Sequence, residues 1–81
     1  MTKEIFNEKF NALLTENLNI STKELKIEMK FVDLELDSLD MVELIVKFER
    51  KFSITVPDND ADAILTIGDA EKYLKSRLNI K

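Results

Sequence analysis

The one hydroxyl between residues 32 and 48 is that of Ser38, which stands among five carboxylates with no base before Lys47. Those carboxylates belong to Asp33, Glu35, Asp37, Asp40 and Glu43. A serine becomes a nucleophile when a neighbouring base accepts its proton, and the chain has no His and no Lys at a motif spacing. Ser38 also lacks the flanking glycines of a hydrolase elbow. It is therefore not predicted to act as a catalytic nucleophile.

The carboxylates offer two further kinds of chemistry, general acid–base catalysis and metal binding. Asp37 and Asp40 are close enough in sequence for acid–base work, but at the start of a helix they are expected to cap it. The stretch DNDAD, residues 58 to 62, begins like a calcium loop. Ala63 stands where such a loop needs glycine and Asp69 where it needs a bidentate glutamate. Neither an enzyme nor a metal site is predicted.

The composition points to one small domain, residues 1–81, that binds other proteins. The net charge of −4 argues against nucleic acid as a partner and favours basic protein surfaces. The chain has no Cys, so it forms no disulfide and holds no cysteine-bound metal. No apolar run has the length of a membrane span, and the first residues lack the apolar core of a signal peptide. A cytoplasmic, monomeric protein is expected.

Hydrophobic spacing predicts a first helix over residues 3 to 17, with Asn19 as its left-handed stop. A long loop follows, with one helical turn at residues 21 to 24. Its apolar residues alternate, which favours an extended segment lying across the core, although the same alternation is typical of a short strand. These residues are Leu25, Ile27, Met29 and Phe31.

The second helix is predicted to begin at Ser38, capped by Asp37, and to end near Phe52 or Ser53. At 100° per residue one face is apolar and must pack on the core. Its members are Met41, Leu44, Ile45, Phe48 and Phe52. The opposite face carries a second, smaller apolar stripe surrounded by charges, which favours a docking surface for another protein. That stripe consists of Leu39, Val42 and Val46.

Two more helices complete the prediction. A short third helix is expected to begin near Pro57 or Asp58 and to last about two turns, because proline suits the start of a helix. Thr66 and Asp69 form a capping signature for a last helix, with Gly68 in its first turn. The predicted fold class is all-α: a four-helix bundle with three longer helices, a short third helix and a long loop between helices 1 and 2.

These residues resemble the acyl carrier protein family. The motif DSLD (37–40) is followed by MVELIVKFERKFSITVPDND and, further on, by TIGDAEKYL. The resemblance covers roughly residues 5 to 78, and the motifs stand at the family's spacing. It implies a single acyl carrier domain that catalyses nothing itself and tethers a substrate for successive enzymes.

The resemblance also implies a chemical role for Ser38. A holo-carrier-protein synthase, which is a phosphopantetheinyl transferase, would attach 4′-phosphopantetheine from coenzyme A to its hydroxyl. The thiol of that arm would carry an acyl chain as a thioester to ketosynthase, acyltransferase and other acyl-processing enzymes of fatty-acid or polyketide-type synthesis. Asp37 would cap the helix and help to place a metal or a partner's base during the transfer.

Further positions match the family's contacts. Partner enzymes would meet the apolar residues and carboxylates of the second and third helices: Leu39, Asp40, Val42, Glu43, Val46, Asp58, Asp60 and Asp62. The acyl chain would enter the bundle between these two helices, along Leu44, Ile45, Ile64 and Ala70.

The sequence departs from the family pattern at two places. Glu35 stands where many members have glycine, which predicts a stiffer or differently shaped loop before Ser38. Lys47, Arg50 and Lys51 interrupt a helix that is often acidic, so a specialised pathway stays open. Two other functions also remain: a carrier of aminoacyl cargo, and a protein-interaction module of the same fold that is never modified.

Overall fold

The computed structural model describes residues 1–80 and shows four α-helices around one apolar core. Helix α1 spans Lys3–Leu18, α2 Ser38–Phe52, α3 Asp58–Ala61 and α4 Ile67–Arg77. The described residues contain no β-sheet; one isolated antiparallel bridge joins Lys30 to Thr66. The all-α prediction with a short third helix is confirmed.

Local signals set most of the helix ends. Thr2 caps α1 by accepting a hydrogen bond from the Ile5 amide at 3.2 Å, and Asn19 ends it in the left-handed conformation at φ 55°. Ser53 ends α2 in the same way at φ 54°. Asparagine tolerates this backbone region better than most residues, so the sequence predicted a left-handed stop at Asn19. The predicted end of α2 near Phe52 or Ser53 is confirmed, but the left-handed conformation of Ser53 was not predicted.

Four phenylalanines hold α1 against α2. The rings of Phe6 and Phe10 stack with centroids 5.4 Å apart, Phe6 lies 5.2 Å from Phe52, and Phe10 lies 5.7 Å from Phe48. Aromatic pairs at these separations add to the free energy gained by burying the rings. The buried apolar core contains Phe6, Phe10, Leu13, Leu14, Phe31, Leu44, Ile45, Phe48, Phe52, Val56, Ile64, Ile67, Ala70 and Leu74.

The loop between α1 and α2 was predicted to lie across the core, and the structure shows it running along the start of α4. The Phe31 amide donates to the Leu65 carbonyl at 3.0 Å, and the Gly68 amide donates to the Ile27 carbonyl at 2.8 Å. A Cβ on Gly68 would meet that carbonyl oxygen at 3.0 Å, a tight contact, so a larger residue here would need the loop to shift slightly. The alternative prediction of a short strand is not seen in the described residues, where the loop makes one isolated bridge at Lys30.

Three details of the prediction are wrong. Ile27 does not anchor the loop in the core, because its carbonyl makes the contact with Gly68 while its side chain stays 57% exposed. A 3₁₀ helix at Phe31–Leu34, which buries Phe31, was not predicted. Helix α3 has one turn rather than two, because tighter i→i+3 hydrogen bonds after Asp60 turn Ile64 into the core.

Candidate functional site

Ser38 is the first helical residue of α2 and is held there by a capping box. The Asp40 amide donates to Oδ1 of Asp37 at 2.8 Å, and the Asp37 amide donates to Oδ2 of Asp40 at 3.3 Å. The helix itself begins with a hydrogen bond from the Met41 amide to the Asp37 carbonyl at 3.0 Å. These bonds fix the backbone on both sides of Ser38 and leave its side chain exposed.

The chain reaches α2 through an unusual backbone conformation. Glu35 ends the 3₁₀ helix with φ 62° and ψ 31°, and its amide donates to the Val32 carbonyl at 3.3 Å. This left-handed region costs little for glycine and more for a residue with a Cβ. The loop therefore takes a turn that suits glycine although glutamate occupies it.

A groove of about 430 Å³ opens beside Ser38, between α2 and the segment that holds α3. Apolar side chains supply most of its wall, and carboxylates stand at its edge. Its lining consists of Ser38, Met41, Val42, Ile45, Val46, Glu49, Val56, Asp58, Ala61, Asp62, Ile64 and Leu65.

Glu49 fixes the connector that leads from α2 to α3. Its Oε2 accepts a hydrogen bond from the Val56 amide at 2.8 Å, and its carbonyl accepts one from the Ile54 amide at 3.1 Å. Val56 is buried as a result, and Pro57 then begins the turn of α3. One carboxylate on α2 thus sets where the far wall of the groove begins.

Tyr73 holds α3 from the other side. Its hydroxyl donates to Oδ2 of Asp60 at 2.7 Å and accepts a hydrogen bond from Arg77 at 2.8 Å. Burial, together with the neighbouring Asp60 carboxylate, raises the pKa of the Tyr73 hydroxyl above its ordinary value of 10.0. The hydroxyl stays protonated at neutral pH, so it keeps donating to Asp60 and ties the one-turn helix to α4.

Comparison with known proteins adds to this geometry. A family model described as the phosphopantetheine attachment site matches residues 8–74. An acyl carrier protein of Sulfurovum sp. (strain NBC37-1) is 49% identical over 65 residues, which cover 79% of this chain and 87% of that protein. One of Helicobacter acinonychis is 45% identical over 69 residues, covering 84% and 88%, and one of Wolinella succinogenes is 46% identical over 65 residues, covering 79% and 86%.

The chain belongs to the acyl carrier protein family.

Members of this family carry acyl groups on covalently attached 4′-phosphopantetheine and interact with acyl-processing enzymes and a phosphopantetheinyl transferase. The surroundings of Ser38 fit such a group. The serine hydroxyl is exposed, the first-turn amides of α2 favour a phosphate, and an apolar groove begins beside it.

The structure places the predicted docking residues of the carrier on two elements. Leu39 and Val42 on α2 are 64% and 58% exposed, whereas Val46 is half-buried in the groove wall. The carboxylates of Asp37, Asp40 and Glu43 lie exposed on the first half of α2 or at its cap. On the other side of the groove, Asp58 and Asp62 border it, and Asp60 turns away to meet Tyr73.

The four residues predicted to line an acyl pocket do not all come together. Ile45 and Ile64 border the groove beside Ser38. Leu44 borders a smaller depression formed with Asn17, Leu18 and Leu36 from α1 and the loop. Ala70 is completely buried in the core of the carrier, on α4.

Several groove residues had no predicted role in the site. Glu49 and Val56 were not predicted as groove residues, because the hydrogen bond between them joins positions that no local pattern connects. Leu65 was expected to be a core residue from its sequence, but its side chain is 61% exposed. Met41 was assigned to the core by its helical phase, and that phase also places it at the groove.

Two other kinds of feature, a metal centre and a membrane-spanning helix, are not found within residues 1–80. No three residues among the carboxylates of that range are placed to hold a metal ion together. None of the helices described combines the length and apolar character needed to cross a bilayer.

Proposed function

We propose that Ser38 is the attachment point for 4′-phosphopantetheine in this carrier. The observation that carries the proposal is the position of an exposed hydroxyl at the first turn of α2, beside the opening of an apolar groove. The attached group would supply the thiol that the sequence, which has no Cys, does not contain. The capping box of Asp37 and Asp40 would hold the serine in one orientation while a transferase binds.

We propose that the groove receives the acyl chain and that Ile45 and Ile64 contact it first. Both are buried apolar residues of the wall, and moving an acyl chain out of water onto such a surface is favourable. The sequence also assigned Leu44 and Ala70 to this lining. Since they lie outside the groove, they would be reached only by a chain that displaces core side chains.

The acidic and apolar residues around Ser38 are proposed to dock the transferase, ketosynthase, acyltransferase and other acyl-processing enzymes. Leu39 and Val42 would bury apolar area at the centre of such an interface, and Glu43 and Asp62 would face basic residues at its rim. The protein is proposed to work as a cytoplasmic monomer and to leave the chemistry to its partners. Fatty-acid and specialised polyketide-type pathways both fit this surface.

The test is the intact mass of the chain after incubation with coenzyme A and a broad-specificity phosphopantetheinyl transferase. We expect the native chain to gain the mass of one phosphopantetheine and Ser38→Ala to gain none. Ser76→Ala, which removes another exposed hydroxyl from α4, is the matched control and should be loaded as the native chain is. A native chain that stays unmodified with several transferases would favour an interaction module of the same fold.

A further inference from the structure

A second groove, of about 360 Å³, lies between α1 and α2, and no residue borders both this groove and the one beside Ser38. Helix α1 contributes a small residue, a buried leucine and two polar side chains, and α2 contributes three bases. The lining consists of Ala12, Leu13, Glu16, Asn17, Lys47, Arg50 and Lys51. We call these seven residues the basic groove.

The charge of the basic groove is opposite to that of the chain. Within this groove Lys47, Arg50 and Lys51 meet one carboxylate, Glu16, in a protein whose net charge is −4, and Lys47 also borders the smaller depression lined by Asp40 and Glu43. All three bases are exposed, and their spacing of three and four residues puts them on one side of α2. The ion pair found within residues 1–80 is Lys75–Glu71, so no carboxylate of that range lies within 4.0 Å of these bases.

Lys47 is held in place rather than free in solvent. Its ammonium donates to Oδ1 of Asn17, and Nδ2 of Asn17 donates to the Leu13 carbonyl at 2.7 Å. These two hydrogen bonds join the middle of α2 to the last turn of α1, which has no base of its own. A positioned charge loses less conformational entropy on binding than a mobile one.

Arg50 and Lys51 have a structural role that leaves them available to a ligand. They lie in the last turn of α2, where positive charge offsets the helix dipole. That interaction needs no close contact, so their donors remain exposed at the edge of the groove. The three bases span Lys47 to Lys51, which is about 6 Å along a helix axis.

We propose that the basic groove docks an acidic segment of a partner protein, on the opposite side of α2 from the acyl groove. Carboxylates of that segment would pair with Lys47, Arg50 and Lys51, and a small apolar side chain would pack on Ala12 and Leu13. A single inorganic anion does not span the three bases and gains nothing from the apolar floor.

This inference is independent of the role proposed for Ser38, because the two grooves share no residue. The holo carrier would present its arm to one enzyme through the residues around Ser38. At the same time, an acidic segment of another protein would hold it at the basic groove. Such a second contact keeps the carrier near the enzymes that act on it and raises its effective concentration there.

The test uses the phosphopantetheine-loaded chain and a designed probe. The probe is an alanine-based helical peptide with two glutamates four residues apart and a leucine between them; its matched control carries glutamines instead. Titration is followed by amide chemical shifts in ¹⁵N-labelled protein. We expect shifts at Leu13, Asn17, Lys47 and Arg50 and none at Val42 or Ile64, with binding that weakens as salt rises from about 20 to about 300 mM.

Charge-matched variants decide whether the groove or the overall charge is responsible. Arg50→Gln/Lys51→Gln is expected to raise the Kd of the glutamate peptide by about fivefold, since each exposed pair contributes little alone. Lys23→Gln/Lys26→Gln removes the same charge from exposed positions in the long loop and should leave the Kd within about twofold. Both variants should keep the native thermal midpoint within a few degrees and still accept phosphopantetheine.

Three results would overturn the inference. One is an equal loss of affinity in the two double variants, which would indicate attraction by net charge alone. Another is the same set of shifts with inorganic phosphate at the peptide's concentration, which would indicate a small-anion site. The third is the same shifts on raising the concentration of the carrier without peptide, which would indicate contact between copies.

Discussion

Glu35 carries a conformational penalty three residues before Ser38. Within residues 1–80 it is one of four non-glycine residues with positive φ, together with Asn19, Ser53 and Asn79. Glutamate has no short side-chain amide to stabilise this region, so the left-handed backbone costs about 1 kcal/mol or somewhat more. The sequence identified this position because the related family often has glycine there, and the angle now gives the physical reason.

Glu35→Gly is therefore expected to raise the free energy of unfolding by about 1 kcal/mol, because it relieves the left-handed strain. Part of the gain is offset by the greater freedom of glycine in the unfolded chain. Urea denaturation monitored by circular dichroism measures the difference. Glu35→Ala removes the same charge but keeps a Cβ, so it should give no comparable gain. Equal stabilisation by both variants would assign the effect to charge instead.

At the scale of single elements, short-range patterns were the predictable part of this molecule. Asp37 with Asp40 and Thr66 with Asp69 are three residues apart, and both pairs form complete capping boxes. The exposure of Ile27 goes with the contact between its carbonyl and Gly68 of α4, far away in sequence, and the single turn of α3 goes with i→i+3 hydrogen bonds after Asp60. Periodicity carries no information about such contacts, which is why those details were predicted wrongly.

The cap of α4 makes part of the stability depend on pH. Hydrogen bonds from the Leu65 and Thr66 amides, each 3.1 Å from Oδ2 of Asp69, lower the pKa of that carboxyl below its ordinary value of 3.8. Because the folded pKa is lower than the unfolded one, this contribution is fully present above the unfolded pKa. It is lost as the pH falls through the folded pKa.

Asp69→Asn should therefore be less stable than the native chain at pH 7, and the difference should shrink as the pH falls to about 3. Unfolding by urea at a series of pH values gives the two curves. The native capping box contains a carboxylate that protonation weakens, and the variant has none. A stability difference that stays constant over this range would contradict the role assigned to Asp69.

The hydrogen bond from Tyr73 to Asp60 joins α4 to α3, and removing it is expected to lower the stability measurably. Tyr73→Phe removes the hydrogen bond to Asp60 and should lower the free energy of unfolding by about 1 kcal/mol. Amide hydrogen exchange of residues 60 to 64 should become faster than in the native chain. Arg77→Gln leaves the Tyr73–Asp60 bond in place and should change exchange there much less. Unchanged exchange in Tyr73→Phe would mean that packing alone holds α3.

For the molecule as a whole, the two halves of α2 carry opposite charge, and two opposite sides of the helix border different grooves. Asp40 and Glu43 lie on its first half, and Arg50 and Lys51 end it. The sequence predicted the first group as a docking surface and noted the second only as a departure from the family. It did not predict that α1 would complete a groove with those bases, because helix phase alone does not show which helix packs beside which.

Docking of a phosphopantetheinyl transferase should depend on the exposed carboxylates of α2 and of the segment that holds α3. Raising the salt concentration is expected to raise the KM for the carrier, because exposed charges are screened. Glu43→Gln/Asp62→Asn should raise that KM by about threefold to tenfold at low salt, and Glu8→Gln/Glu28→Gln should change it little. Loading is measured by intact mass against time. A KM that does not respond to salt would assign the docking energy to Leu39 and Val42.

The chain contains one tyrosine and no tryptophan. That tyrosine, Tyr73, donates its hydrogen bond to the one-turn helix at the edge of the groove beside Ser38. Excitation in the tyrosine band, where the five phenylalanines absorb little, therefore reports on a single side chain whose hydroxyl is hydrogen-bonded to a carboxylate. Any event that moves α3, such as the entry of an acyl chain, would alter that bond and be visible in the intrinsic fluorescence of the carrier without a dye.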